Sequence, residues 1–114
     1  MIGNTVEETM AVLGDKWIIS ILHALYGGTL RFGELRDCLI RGNNPGEEIS
    51  ISPKSLSERL KLLKRLGLVT RVSFDEIPPR VEYSLTDDGK YCAEALERAF
   101  EIITAKAQGE GESR

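Results

Sequence analysis

At Gly67 the hydrophobic period of the chain changes from about 3.6 residues to 2, and this change limits the fold more than any other feature. Before it, Ser52 is a good helix cap and Pro53 occupies a first helical position, where a missing N–H costs little. Leu56, Leu60 and Leu63 repeat at helical spacing, which predicts a helix from Pro53 to Leu66 with Gly67 as its terminator. After it, Leu68 to Phe74 alternates as a strand, Asp75 to Pro79 reads as a turn, and Arg80 to Leu85 as a second strand. The two strands make one antiparallel hairpin. Thr86 then caps a long last helix, from about Asp87 to Lys106.

Upstream, Thr5 and Glu8 form a capping box for a short helix ending near Leu13. Gly14 breaks it, and Asp15 caps a second helix from Lys16 to Tyr26, whose buried face is Ile18, Ile21, Leu22 and Leu25. Gly27 and Gly28 end that helix. A third starts at Arg31 or Phe32 and runs to Leu39, with Phe32, Leu35 and Leu39 on one face. Residues 41–48 are rich in turn formers and read as a loop. The polar, Gly-rich end, 108–114, reads as a disordered tail. The expectation is a single domain over 1–107, mainly α with a small β-hairpin wing. That order is a winged helix-turn-helix, with the fourth helix as reader and the first and last helices as dimerisation elements.

The 114 residues carry a net charge of −3, which alone argues against nucleic acid. The distribution argues the other way. From Lys54 to Arg71 six basic residues face one acid, Glu58, a local +5 that leaves −8 elsewhere. DNA responds to the local field. With Leu56 at zero on a helical wheel, Lys54, Glu58, Lys61 and Arg65 fall at about 140–200°, opposite the leucine stripe, and Ser57 lies beside them. Such groups donate to guanine edges or to phosphates. Arg71 and Arg80 flank the hairpin, within reach of phosphates or a minor groove. The plain alternative is a solvated face on an amphipathic helix.

Little else points to chemistry. His23 is the only histidine and falls about 140° from Ile18, away from the buried face, so a solvated side chain is expected. Cys38 and Cys92 stand far apart without metal-ligand spacing and read as small buried hydrophobes. They suggest no disulfide framework and fit a reducing cytoplasm. Met1 to Asn4 lacks a basic region followed by an apolar run, so no secretory signal is expected, and no apolar run suits a membrane span. No phosphate loop, dinucleotide fingerprint or zinc-protease motif is present, and no nucleophile–base set assembles. The expectation is no enzyme and no cofactor.

The last helix is apolar on two sides. Cys92, Leu96, Ala99, Phe100 and Ile103 form one stripe, and Tyr91, Ala95 and Ile102 another. One packs on the core; a partner subunit would cover the second. Met10, Tyr91, Ala95 and Ile102 are therefore the candidate dimer contacts. A membrane-surface role is disfavoured by Glu94, Glu97 and Glu101.

Five segments carry a family resemblance. Leu13-Gly14-Asp15-Lys16-Trp17 resembles the L-G-x-K-W of HxlR-type regulators, and Arg31-Phe32-Gly33-Glu34-Leu35-Arg36 their R-F-x-E-L-R. Residues 51–60 are similar to I-S-x-x-x-L-x-x-R-L, and residues 76–86 to the wing segment E-V-P-P-R-V-E-Y-x-L-T. Gly89 follows as in L-T-x-x-G. The resemblance spans about residues 10–103. It implies a homodimer, paired through its terminal helices, on a two-fold-related DNA operator. It also implies DNA contact by Lys54, Ser55, Ser57, Glu58, Arg59 and Lys61, with Arg80 in the wing. On the wheel Arg59 lies nearer the core, where an internal salt bridge is the other reading. Two features depart from the family. The cysteine often found just before the first helix is replaced here by Ile2, Gly3 and Asn4, and the connection over residues 40–50 is long.

The leading expectation is a cytoplasmic, sequence-specific transcription regulator whose partners are double-stranded DNA and a second copy of itself. A small-molecule effector is left open. The rival is a winged-helix protein-interaction module without DNA binding, which the acidic total favours and the +5 stretch opposes.

Overall fold

A computed structural model describes residues 6–41 and 50–112 of the chain. Asp15 organises its first corner. Helix α1 (Val6–Leu13) closes with the Gly14 amide on the Met10 carbonyl at 2.8 Å. The Asp15 carboxylate then accepts from the amides of Trp17 (2.9 Å) and Ile18 (3.0 Å), capping α2 (Lys16–Tyr26). Ile18, Ile21, Leu22 and Leu25 are buried along α2, as their spacing requires. The capping threonine of α1 and the loop at 42–49 lie outside the described residues.

After Gly27 and Gly28 the chain forms a strand that the sequence pattern did not show, β1 (Leu30–Arg31). It leads directly into α3 (Phe32–Arg41), which runs two residues past the expected Leu39. Glu34 reaches back to accept the Arg31 amide at 2.8 Å, fixing this entry. Leu35 and Leu39 are buried, but Cys38 is exposed, against expectation. It lies about 60–100° round the helix from the Leu35–Leu39 stripe, too far to join the core.

Helix α4 (Pro53–Arg65) starts at Ser52, whose hydroxyl accepts the Ser55 amide at 3.1 Å. Leu66 is the C-cap. Gly67 follows with φ +77°, where a side chain is disfavoured. The Leu68 amide reaches the Leu63 carbonyl at 2.9 Å and the Gly67 amide the Lys64 carbonyl at 3.0 Å, the paired bonds of a Schellman motif. That turn launches β2 (Val69–Phe74), which pairs antiparallel with β3 (Arg80–Leu85) from Val69↔Leu85 to Phe74↔Arg80. β1 adds to the other edge of β3, Leu30 opposite Tyr83, so the sheet order is β1-β3-β2.

Thr86 ties the hairpin to α5 (Asp87–Glu112). Its hydroxyl donates to the Gly67 carbonyl at 2.6 Å and accepts the Gly89 amide at 3.0 Å. Gly89 is required there: a Cβ at that position would stand 2.0 Å from the Leu68 carbonyl oxygen. Helix α5 passes the expected end at Lys106 and continues to Glu112, so residues 108–112 are helical and not a disordered tail. No proline or cap stops propagation, and Gly109 and Gly111 each weaken it by only about 1 kcal/mol.

The core joins α2, α3, α4, the sheet and the first turns of α5 around Ile21, Leu35, Leu56 and Leu63. Ala93 is buried in it, and Cys92 and Leu96 pack against it. The expected core stripe of α5 stops there, because Phe100 and Ile103 on the same line are exposed.

Candidate nucleic-acid interface

The leucine stripe of α4 faces inward and turns the opposite face to solvent. Lys54 is 88% exposed by side chain and stands 4.0 Å from Glu58, one turn on. Such a pair in water is weak, so Lys54 keeps its charge for other partners. Lys61, Lys64 and Arg65 are exposed further along, and Ser57 is half-buried beside them.

The hairpin adds a second wall. Ser57, Lys61 and Lys64 of α4 and Arg71 of β2 border a cleft of about 360 Å³ that reaches down to Leu60 and Tyr83. Three cations thus converge where reader meets wing. Lys64 is not among the contacts expected from the sequence; its place in the basic run from 54 to 71 is the signal for it.

Arg59 and Arg80 lie elsewhere. The Arg59 Nε donates to both Asp15 oxygens, at 3.1 and 3.2 Å, and its Nη1 bonds the Ser55 hydroxyl and carbonyl. Both ion-pair side chains are about three-quarters buried, so this is the internal salt bridge, with Ser55 drawn into it. Burial would push the Asp15 carboxyl up, but the hydrogen bond from Arg59, the Ile18 amide, the Arg59 charge and the Trp17 amide outweigh it. The carboxyl sits below its usual range.

Arg80 pairs across the hairpin with Phe74, and its guanidinium lies 4.0 Å from that ring centroid. Its Nη2 is 3.3 Å from Glu76, and its Nε is 3.4 Å from Glu82 but outside hydrogen-bond alignment. The arginine meant for DNA is committed to the wing. At the tip, Asp75 and Glu76 precede a fully exposed Ile77.

Met10, Tyr91, Ala95 and Ile102 are all exposed on α1 and α5. His23 is exposed as expected, yet it has a partner in Glu97. Among the described residues no three His, Cys, Asp or Glu side chains gather as a metal site needs. None of the described helices is long and apolar enough to cross a membrane.

A family model described as HxlR-like helix-turn-helix matches residues 12–110. The chain belongs to the HxlR family. The matched span covers the elements from α2 to β3 and α5 as far as residue 110, with the HxlR reader and wing segments falling on α4 and on β3 with its preceding turn. The HTH-type transcriptional regulator YvaP of Bacillus subtilis is 38% identical over 90 residues, 79% of this chain and 75% of its own length. A Synechocystis HTH-type regulator is 40% identical over 85 residues, 75% of this chain but 56% of its own length. Among solved structures, a MarR-family regulator from Enterococcus faecalis superposes with a TM-score of 0.74 at 30% identity, covering 98% of this chain and 97% of its own. The reduced form of the regulator YodB from B. subtilis superposes at 0.63 with 34% identity, covering 94% and 92%. The HxlR relatives are transcriptional regulators and not enzymes, and the winged helix-turn-helix is the fold they share with this chain.

Proposed function

We propose that the chain is a DNA-binding transcription regulator that grips a two-fold-related operator as a homodimer, with α4 in the major groove and the hairpin alongside. The observation that carries this reading is the convergence of Lys61, Lys64 and Arg71 on one cleft beside the exposed face of α4. A chain of net charge −3 has little reason to gather its cations unless a polyanion meets them there. Lys54, Ser57, Lys61, Lys64, Arg65 and Arg71 make the contacts in this reading, while Arg59 and Arg80 hold the surface in shape. Its place of action in this reading is the cytoplasm.

The dimer part rests on exposed apolar surface. Val6, Met10 and Leu13 on α1 and Tyr91, Ile102 and Ile103 on α5 are each at least half exposed. A second copy covers them and holds two reading helices about 34 Å apart, one turn of DNA.

The test is a mobility shift of genomic fragments at increasing salt. Binding that weakens steeply with salt and retains a preferred fragment supports the reading. Absence of any DNA complex at low salt favours the rival, a winged-helix module for protein partners, to which the acidic wing tip would belong.

A further inference from the structure

A second cleft, of about 830 Å³, opens where α5 leaves the core and passes α2 and the end of α3. Its volume suits a drug-sized molecule. Ile19, Ala24, Leu39 and Phe100 make an apolar lining, and Tyr26 and Glu97 stand at one end. That end is anionic. Tyr26 donates its hydroxyl to Glu94 at 3.3 Å, and Glu97 is paired with His23. The charge of Glu94, then burial, the hydrogen bond to Glu94 and the charge of Glu97 raise the Tyr26 hydroxyl above its ordinary range, which reports the same negative field. Lys16 lines the opposite end, seven residues or about 10 Å along α2 from His23, with its ammonium 5.3 Å from the centre of the Trp17 ring.

We infer that this cleft binds an arylalkyl amine, a flat ring carrying its ammonium on a short alkyl arm. The ammonium sits between the Tyr26 ring and the Glu97 carboxylate, and the aromatic body lies along Ile19, Ala24 and Leu39. A carboxylate with an aromatic face beside it is the chemistry that recognises an ammonium, and it repels an acid. An apolar floor about 10 Å long accepts a ring system but leaves a bare metal ion without ligands. Every residue of the site belongs to one chain, so the inference stands or falls without DNA.

The experiment uses the full chain, free of DNA. Calorimetric titration with phenethylammonium chloride and with sodium phenylacetate compares one shape in two charges. The cation is expected to bind at least about tenfold tighter than the anion, and Glu97→Gln to remove most of that preference. Exposed Cys38 lines the same cleft and supplies an independent readout. In a Cys92→Ser background, phenethylammonium should slow alkylation of Cys38 by iodoacetamide. Equal affinity for cation and anion, binding of neither, unchanged selectivity in Glu97→Gln, or unprotected Cys38 would each overturn the site. Should Glu97→Gln fail to fold, Ala24→Leu fills the floor and must abolish the calorimetric signal. These outcomes do not depend on operator binding, so they separate failure of the ligand site from failure of the proposed function.

Discussion

The carboxylate of Asp15 caps α2 through the Trp17 and Ile18 amides and, with both oxygens, holds the Nε of Arg59 on α4. One side chain thus pins the start of a core helix to the middle of the reading helix. Through Ser55, which Arg59 also bonds, the chain of contacts runs on to the Ser52 cap.

Replacing Arg59 by leucine leaves Asp15 partly buried with its charge uncompensated. The expected loss is roughly 1–2 kcal/mol, between the worth of a surface pair and that of a fully buried one. Urea unfolding reads it. Arg59→Lys should recover only part, because one ammonium does not replace an Nε on Asp15 and an Nη1 on Ser55 held in a fixed plane.

The same pair sets an acid limb. Asp15 has a folded-state pKa below the ordinary 3.8, so its stabilisation is complete above that value and disappears as pH falls through the folded pKa. Asp15→Asn should lower stability at neutral pH and flatten the stability curve below about pH 4. A variant as steep as the parent there would contradict this assignment.

Charge reversal of Lys61 and Lys64 together should lower operator affinity strongly and reduce the log–log salt slope by about 0.9 for each phosphate contact removed. Retained affinity would place the reader elsewhere.

The two hairpin arginines should separate. Arg71→Ala, at an exposed strand position, should weaken DNA binding without moving the melting temperature. Arg80→Ala removes the group packed on Phe74, so binding and thermal stability should fall together. An Arg80→Ala protein with a normal melting curve and poor binding would restore Arg80 as a direct contact.

Ile102→Asp puts a charge into the exposed apolar seam of α5. Sedimentation should then find folded monomers with weak operator affinity. A parent chain that is monomeric at micromolar concentration removes the dimer from the model.

Much of this arrangement was legible in the sequence because it is local. The Ser52–Pro53 start, the Leu56, Leu60 and Leu63 stripe and the alternation from Arg80 to Leu85 depend on residues a few positions apart, and each appears where expected. What the pattern did not show depends on partners distant in sequence. β1 has two residues and no period of its own; it exists because β3 offers Tyr83 and Glu82 as neighbours. The engagement of Arg80 requires the Phe74↔Arg80 register, and that of Arg59 a residue 44 positions away. The α5 periodicity runs on to Ile103, but the core it would serve ends at Leu96.

That early end of the core turns α5 into a lever. Its last 16 residues, from Glu97 to Glu112, extend about 24 Å beyond the fulcrum at Leu96. A tilt of only ~5° there would sweep the far tip through about 2 Å, given the helical rise. A small repacking around Tyr26 and Glu97 would thereby be geared up into a several-fold larger displacement at the far tip of α5.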